Sequence, residues 1–274
     1  MAKTQNAPVA KATQQKSSGI NSPGLVIILL FIISTLFFVF VLGNEANFKD
    51  PETKHDAINP FGIVYAGGFI VPILIGFFLI VVVFGIERWM VVNKAAGNGN
   101  LDAFVVKVRN LVKSGNIADA KKEAERQKGT VGNVVKTALE KYEQLQGDGA
   151  MNKEQKLSAL SKEVEEATAL ELPVLEKNLA ILSTLGSVAT LVALLGTVLG
   201  MIKAFFALGS GGGSPDAAAL SKGIAEALIN TGLGIGTSAI AIIVYNYFTS
   251  SIDSLTYKID EIGLTLQQTF ASSN

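Results

Sequence analysis

NLAILSTLGSVATLVALLGTVLGMIKAFFAL, from Asn178 to Leu208, and KGIAEALINTGLGIGTSAIAIIVYNYF, from Lys222 to Phe248, decide the fold. Each exceeds the ~20 residues that carry an α-helix across a bilayer. The GSGGGSP stretch between them, Gly209 to Pro215, cannot continue a helix and predicts a loop. The two segments therefore read as a membrane hairpin.

Each helix carries one small or polar stripe on an apolar rod. In the first, Ser183, Gly186, Thr190, Ala193, Thr197, Gly200 and Ala204 recur at spacings of three and four. In the second, Glu226, Asn230, Gly234, Thr237 and Ala241 do the same, with Thr231 beside them. Such spacing keeps side chains on one helix face. Lipid offers polar groups no hydrogen bonds, so these faces turn toward protein or a water-filled path. Packing alone accounts for many of these residues. Gly196-x-x-x-Gly200 and Gly232-x-x-x-Gly236 let helices approach, and Ser and Thr bond a carbonyl one turn back. Glu226 is harder to place that way, because a carboxylate within a span is costly. Lys203, near the end of its span, either snorkels to the interface or pairs with Glu226, since both lie about five residues from the turn.

LLGTVLGMIKAF (Leu194 to Phe205) and GIAEALINTGLGIGTSAIAIIVYN (Gly223 to Asn246) resemble the last two membrane helices of the ExbB/TolQ/MotA family, the GIAEAL motif followed by Thr231 being closest to its ExbB and TolQ branch. ELPVLEKNLAILSTLGSVA (Glu171 to Ala189) fits the same pattern. The family often has proline where this chain has Thr190 and Ile240, so local bends are expected to differ. The resemblance implies an inner-membrane motor subunit driven by proton or sodium flow. It implies a homopentamer around an ExbD-like or TolR-like single-span subunit, delivering energy to a TonB-like protein. It also implies an ion path past Thr197, Glu226 and Thr231 and a carboxylate supplied by the partner.

The rest of the chain suits a membrane protein. Its charged residues, 17% of the total, are segregated from the apolar runs, and mean hydropathy is +0.40. Net charge is +0, which gives no pull toward nucleic acid. There is no cysteine, so disulfides and thiolate metal sites are excluded. His55 stands alone in a polar loop. No cofactor or metal site is indicated, and with no carboxylate pair little remains for enzyme catalysis.

Residues 1–24 read as a disordered basic cytoplasmic tail. Residues 25–43 are just long enough to span. The alternative, a signal peptide, lacks a small-residue cleavage site. Residues 44–60 form a short polar loop. The next span, 61–86, is expected to kink at Pro72, with Trp89 at headgroup depth. With the basic tail inside, both termini are cytoplasmic.

Residues 87–177 hold 15 Lys and Arg against 14 Asp and Glu, and read as a helical aqueous domain. Asn152-x-x-Gln155 suggests a capping box. From Lys153 the helical pattern runs without a strong stop to Leu208, predicting one rod continuous with the third span, bent at Pro173. Its stripe of Leu157, Leu160, Val164, Ala167, Leu170 and Val174 predicts a homo-oligomer. After a turn at 209–221 and a span at 222–250, residues 251–274 form an amphipathic tail helix.

The sequence thus predicts an all-α integral membrane protein of four spans, and the resemblance implies a bacterial inner membrane. Rival readings are a TolQ-like envelope motor, a gliding or flagellar-type stator, and a scaffold that conducts nothing. The scaffold leaves Glu226 unexplained. A secondary transporter is disfavoured because no inverted repeat is visible.

Overall fold

The computed structural model describes residues 19–20, 22–50, 57–209 and 217–273. Residues 1–18, His55 and residues 210–216 of the glycine-rich turn lie outside the described residues. Among the described residues the chain is helical, with one isolated bridge between Phe48 and Ala57. Four helices are long and apolar enough to cross a membrane. This is the all-α membrane architecture that the apolar runs dictate.

Helix α1, Pro23–Leu36, starts on proline and continues in a wider turn over Phe37–Leu42. Asn47 donates to the end carbonyls of Val41 (2.7 Å) and Leu42 (2.9 Å), which no helical amide reaches. A side chain at Gly76 would begin 2.6 Å from the Phe31 ring, so glycine lets α1 lie against the second span.

That second span is broken rather than kinked. Helix α2, Pro60–Tyr65, is capped by Asn59, whose Oδ1 accepts from Gly62 N at 3.0 Å. The chain then turns at Gly67 and Gly68, the latter at φ +75, and α3 runs over Val71–Ala96. Pro72 falls in the first turn of α3, where its missing amide proton costs nothing. The expected kink at Pro72 is therefore a helix start. Helix α3 also passes residue 86 by ten residues, because Val91, Val92 and Ala95 bury against the charged domain.

The domain comprises α4 (Leu101–Lys113), α5 (Ile117–Gln127), α6 (Gly129–Gly147) and α7 (Lys153–Glu176). Asn100, Asn116 and Asn152 accept bonds from the first-turn amides of α4, α5 and α7, and the Asn152–Gln155 capping box is present.

The expected continuous rod is two helices. Helix α7 ends at Glu176, Lys177 is extended at ψ 136, and Asn178 takes φ +67 before α8 begins at Leu179. Asparagine tolerates that conformation better than other non-glycine residues, and this gives the chain a break that the hydrophobic period does not show. Pro173 stays inside α7, so the discontinuity lies beyond it.

Helix α8, Leu179–Gly209, packs along α9, Ala217–Ser273, in the most extensive helix contact of the molecule. Helix α9 is one element where the sequence suggested a span and a separate tail. Its far half buries Ile252, Leu255, Ile259, Ile262, Leu266 and Phe270, with Phe270 edge-on to Tyr142 at 5.1 Å. Each such side chain contributes about 1.5–3 kcal/mol. This tail also covers Val164, which lies against Gly263, while Leu160 is fully buried in the same core. The stripe on α7 is thus largely covered by its own chain, and only Leu170 stays strongly exposed. The inference from that stripe to a homo-oligomer does not hold.

Candidate functional site

Helices α8 and α9 meet through small residues. A Cβ at Gly200 would lie 2.8 Å from Gly223 O, one at Gly196 2.8 Å from Asn230 Nδ2, and one at Gly234 2.8 Å from Ala189 O and against Ala193. Gly196 and Gly200 therefore serve close approach as the sequence suggested. Gly232 and Gly236 do not: nothing lies within 4 Å of a Cβ at either. Gly234, between them, is the inward glycine, because residues two apart point to opposite sides of a helix. Thr237 is buried, Ser238 donates to Gly186 O, and Thr190 is half-buried.

Within this interface Thr197 and Thr231 face each other, Oγ1 to Oγ1, at 2.5 Å. Thr197 also lies 3.1 Å from Ala193 O and 3.4 Å from Ala227 O, and Thr231 lies 3.0 Å from Ala227 O. Two hydroxyl protons thus serve four contacts. One hydroxyl must donate to the other, so the pair can exchange which oxygen donates. That is the chemistry of a proton relay, and it is also compatible with simple helix fastening.

Toward the turn, Lys203 Nζ donates to Glu226 Oε1 at 2.5 Å. Of the two alternatives for Lys203, snorkelling or pairing, the side chains pair. Lys203 Nζ also sits 5.7 Å from the centre of the Phe69 ring. Helix α9 begins at Ala217, which puts Glu226 more than two turns inside it, deeper than the sequence suggested. A paired ammonium lowers the cost of holding this buried carboxylate.

The same face of α9 grips the break in the second span. Asn230, fully buried, donates from Nδ2 to Gly67 O at 3.0 Å, and its Oδ1 has no partner. A Cβ at Gly68 would lie 2.7 Å from Glu226 Oε1. Irregular backbone at membrane depth is tolerated where protein satisfies it, and Asn230 does so here.

A second polar cluster was not legible in the sequence. Glu87 and Arg88, which follow directly on the 61–86 span, are 5% and 0% exposed. Arg88 Nε and Nη2 each lie 2.5 Å from the Glu87 carboxylate. Arg88 Nη1 donates to Leu175 O at 3.0 Å, one of the carbonyls left open where α7 stops. Ile20 N (3.0 Å) and Asn178 Nδ2 (3.2 Å) donate to Glu87 Oε1. The cluster thus locks α3 to the α7–α8 break. The only hint was an adjacent Glu and Arg after a long apolar run. Among the described residues no group of three or more His, Cys, Asp or Glu could hold a metal ion.

This is a multi-span membrane protein with a polar seam along one helical hairpin and a charged helical domain at one end. A family model described as the MotA/TolQ/ExbB proton channel family matches residues 126–261. The ExbB-like 3 biopolymer transport protein of Synechocystis sp. is 30% identical over 189 residues, covering 68% of this chain and 82% of that protein. The biopolymer transport protein ExbB of Xanthomonas campestris is 30% identical over 115 residues, 42% of this chain and 45% of that protein. The Tol-Pal system protein TolQ of Pseudomonas aeruginosa is 28% identical over 125 residues, 46% of this chain and 54% of that protein. The chain belongs to the MotA/TolQ/ExbB proton channel family. It spans less than half the length of several ExbB relatives, including the one from Xanthomonas.

Proposed function

We propose that the chain is the ExbB-type channel subunit of a bacterial inner-membrane motor. Both termini lie in the cytoplasm, five copies surround an ExbD-like single-span subunit, and proton flow energises a TonB-like protein for outer-membrane transport. The observation that supports this reading most directly is the 2.5 Å contact of Thr197 with Thr231 inside the hairpin that also holds the Lys203–Glu226 pair. The hydroxyl pair offers a relay that neither gains nor loses charge, and the partner subunit supplies the titrating carboxylate. Glu226, paired with Lys203, sets the local field or guides protons near the periplasmic mouth.

Thr231→Val and Glu226→Gln are expected to lower uptake that depends on the proton motive force while the assembly still purifies intact. Wild-type uptake in both variants would sink the assignment. The relative named TolQ favours an envelope motor with the same mechanism as the second reading. Purification in mild detergent with identification of the co-purifying chains separates the two. A lone oligomer without a carboxylate-bearing partner would support the non-conducting scaffold.

A further inference from the structure

A cleft of about 390 Å³ opens between α8 and α9 at the domain end of the hairpin, lined by Glu176, Ser183, Tyr245, Thr249 and Asp253. At ~30 Å³ per molecule it has room for several waters. Thr184, Thr256 and Thr265 each return their hydroxyl to the carbonyl one turn back. Thr249 does not: its Oγ1 is enclosed and makes no hydrogen bond. A buried hydroxyl without a protein partner calls for water or a polar guest.

Helix register ties the cleft to the threonine pair. Ser183 precedes Thr197 by 14 residues, close to four turns, and Thr249 follows Thr231 by 18, five turns. Both therefore lie on the same faces of the same helices as that pair, about 21 and 27 Å further toward the domain. Glu176 ends α7, and Asp253 lies one turn beyond Thr249. Both carboxylates are exposed, and among the described residues neither is engaged in an ion pair.

We infer that this cleft is the vestibule through which protons leave the channel on the domain side, with Glu176 and Asp253 as their acceptors. The inference rests on the proton-channel reading. A proton arriving as hydronium moves to a carboxylate oxygen and leaves water behind, and the acid then releases it to bulk solvent. Two unpaired carboxylates also raise the local cation concentration, an effect worth 10-fold or more, roughly, in exchange rate.

The chain has no cysteine, so single cysteines report cleanly. In membrane vesicles carrying the full chain and its co-expressed partner, a membrane-impermeant thiol reagent added on the domain side is expected to modify Ser183→Cys. It should spare Leu194→Cys, an exposed apolar position on the same helix. In the same vesicles the Glu176→Gln, Asp253→Asn double variant is expected to slow proton flux about tenfold with the assembly intact. No modification at Ser183→Cys overturns the vestibule. Modification with unaltered flux in the double variant overturns the acceptor role and leaves the channel standing. Absence of flux in the unmodified chain with its partner overturns the channel reading itself, whatever the labelling shows.

Discussion

Lys203 Nζ lies 2.5 Å from Glu226 Oε1, yet the lysine side chain is 53% exposed and the glutamate side chain 7%. The pair joins α8 to α9 beside the broken second span. Removing the lysine strands a buried carboxylate, whereas removing the carboxylate frees a lysine that already reaches solvent. Lys203→Met is therefore expected to destabilise the chain by about 1–3 kcal/mol, below the ~3–5 kcal/mol of a fully buried pair. Glu226→Gln should cost less. Thermal unfolding in detergent of both singles and the double variant measures the coupling, and strictly additive losses would show that the pair contributes nothing.

The threonine pair predicts a different pattern. Thr197→Val and Thr231→Val each leave one hydroxyl without its partner, so each should reduce proton flux at least about tenfold, and the double variant should be little worse than either. Serine at either position keeps the hydroxyl and should preserve most of the flux. Flux in vesicles containing the partner subunit is the measurement. Independent, multiplying losses would mean that the two hydroxyls do not act as a unit.

The glycines sort by what a methyl group meets. Gly234→Ala drives a Cβ into Ala193 and Ala189 and should cost about 1–3 kcal/mol. Gly236→Ala meets nothing in this chain and should leave its melting temperature unchanged or slightly raised. Equal sensitivity at the two positions would contradict the helix rotation described here.

Arg88 is the buried charge whose loss should matter most to the fold. Arg88→Leu leaves Glu87 and the Leu175 carbonyl without their strongest donor and should cost about 3–5 kcal/mol. At the neighbouring break, Asn178→Gly should be tolerated, since glycine adopts positive φ freely. Asn178→Val should cost about 1–3 kcal/mol. Denaturation series on the three variants test the lock. A mild effect of Arg88→Leu would mean that α3 does not hold the α7–α8 break.

The α9 tail docks on α4 through Lys258 with Asp102 and Arg109 with Glu261 at 3.4 Å. The hydrogen bond to Asp102 holds Lys258 above the usual lysine range. A raised lysine pKa contributes stability that is fully present below the unfolded value and is lost as pH rises through the folded one. The protection factors of amides in α9 beyond Phe248, which divide out base-catalysed exchange, should therefore hold through neutral and mildly alkaline pH and fall above about pH 10.4, where free lysine titrates. Lys258→Met should remove that alkaline step. Its persistence in the variant would assign the step elsewhere.

The sequence by itself determined the four apolar spans, the all-α class and the capped domain helices, because hydropathy, period and capping are local. It also determined which residues of the hairpin bear polar atoms, while the equal spacing of Lys203 and Glu226 from the turn left snorkelling and pairing both open. The tertiary structure alone decided how each helix is rotated. Where most of a helix surface is apolar, periodicity does not say which face meets which neighbour. The stripe puts Gly234 on one face with Asn230 while the spacing of Gly232 and Gly236 suggests packing there too, and only the structure turns Gly234 alone of the three toward α8. It also brings Asn230 to the carbonyl of Gly67 on a distant span. Likewise the second span breaks at Gly67 and Gly68 because α9 satisfies the opened backbone there, and α7 stops at Glu176 where Arg88 binds the freed Leu175 carbonyl and Glu87 holds the Asn178 side chain. These are partnerships between residues far apart in the chain, and no local window contains both members.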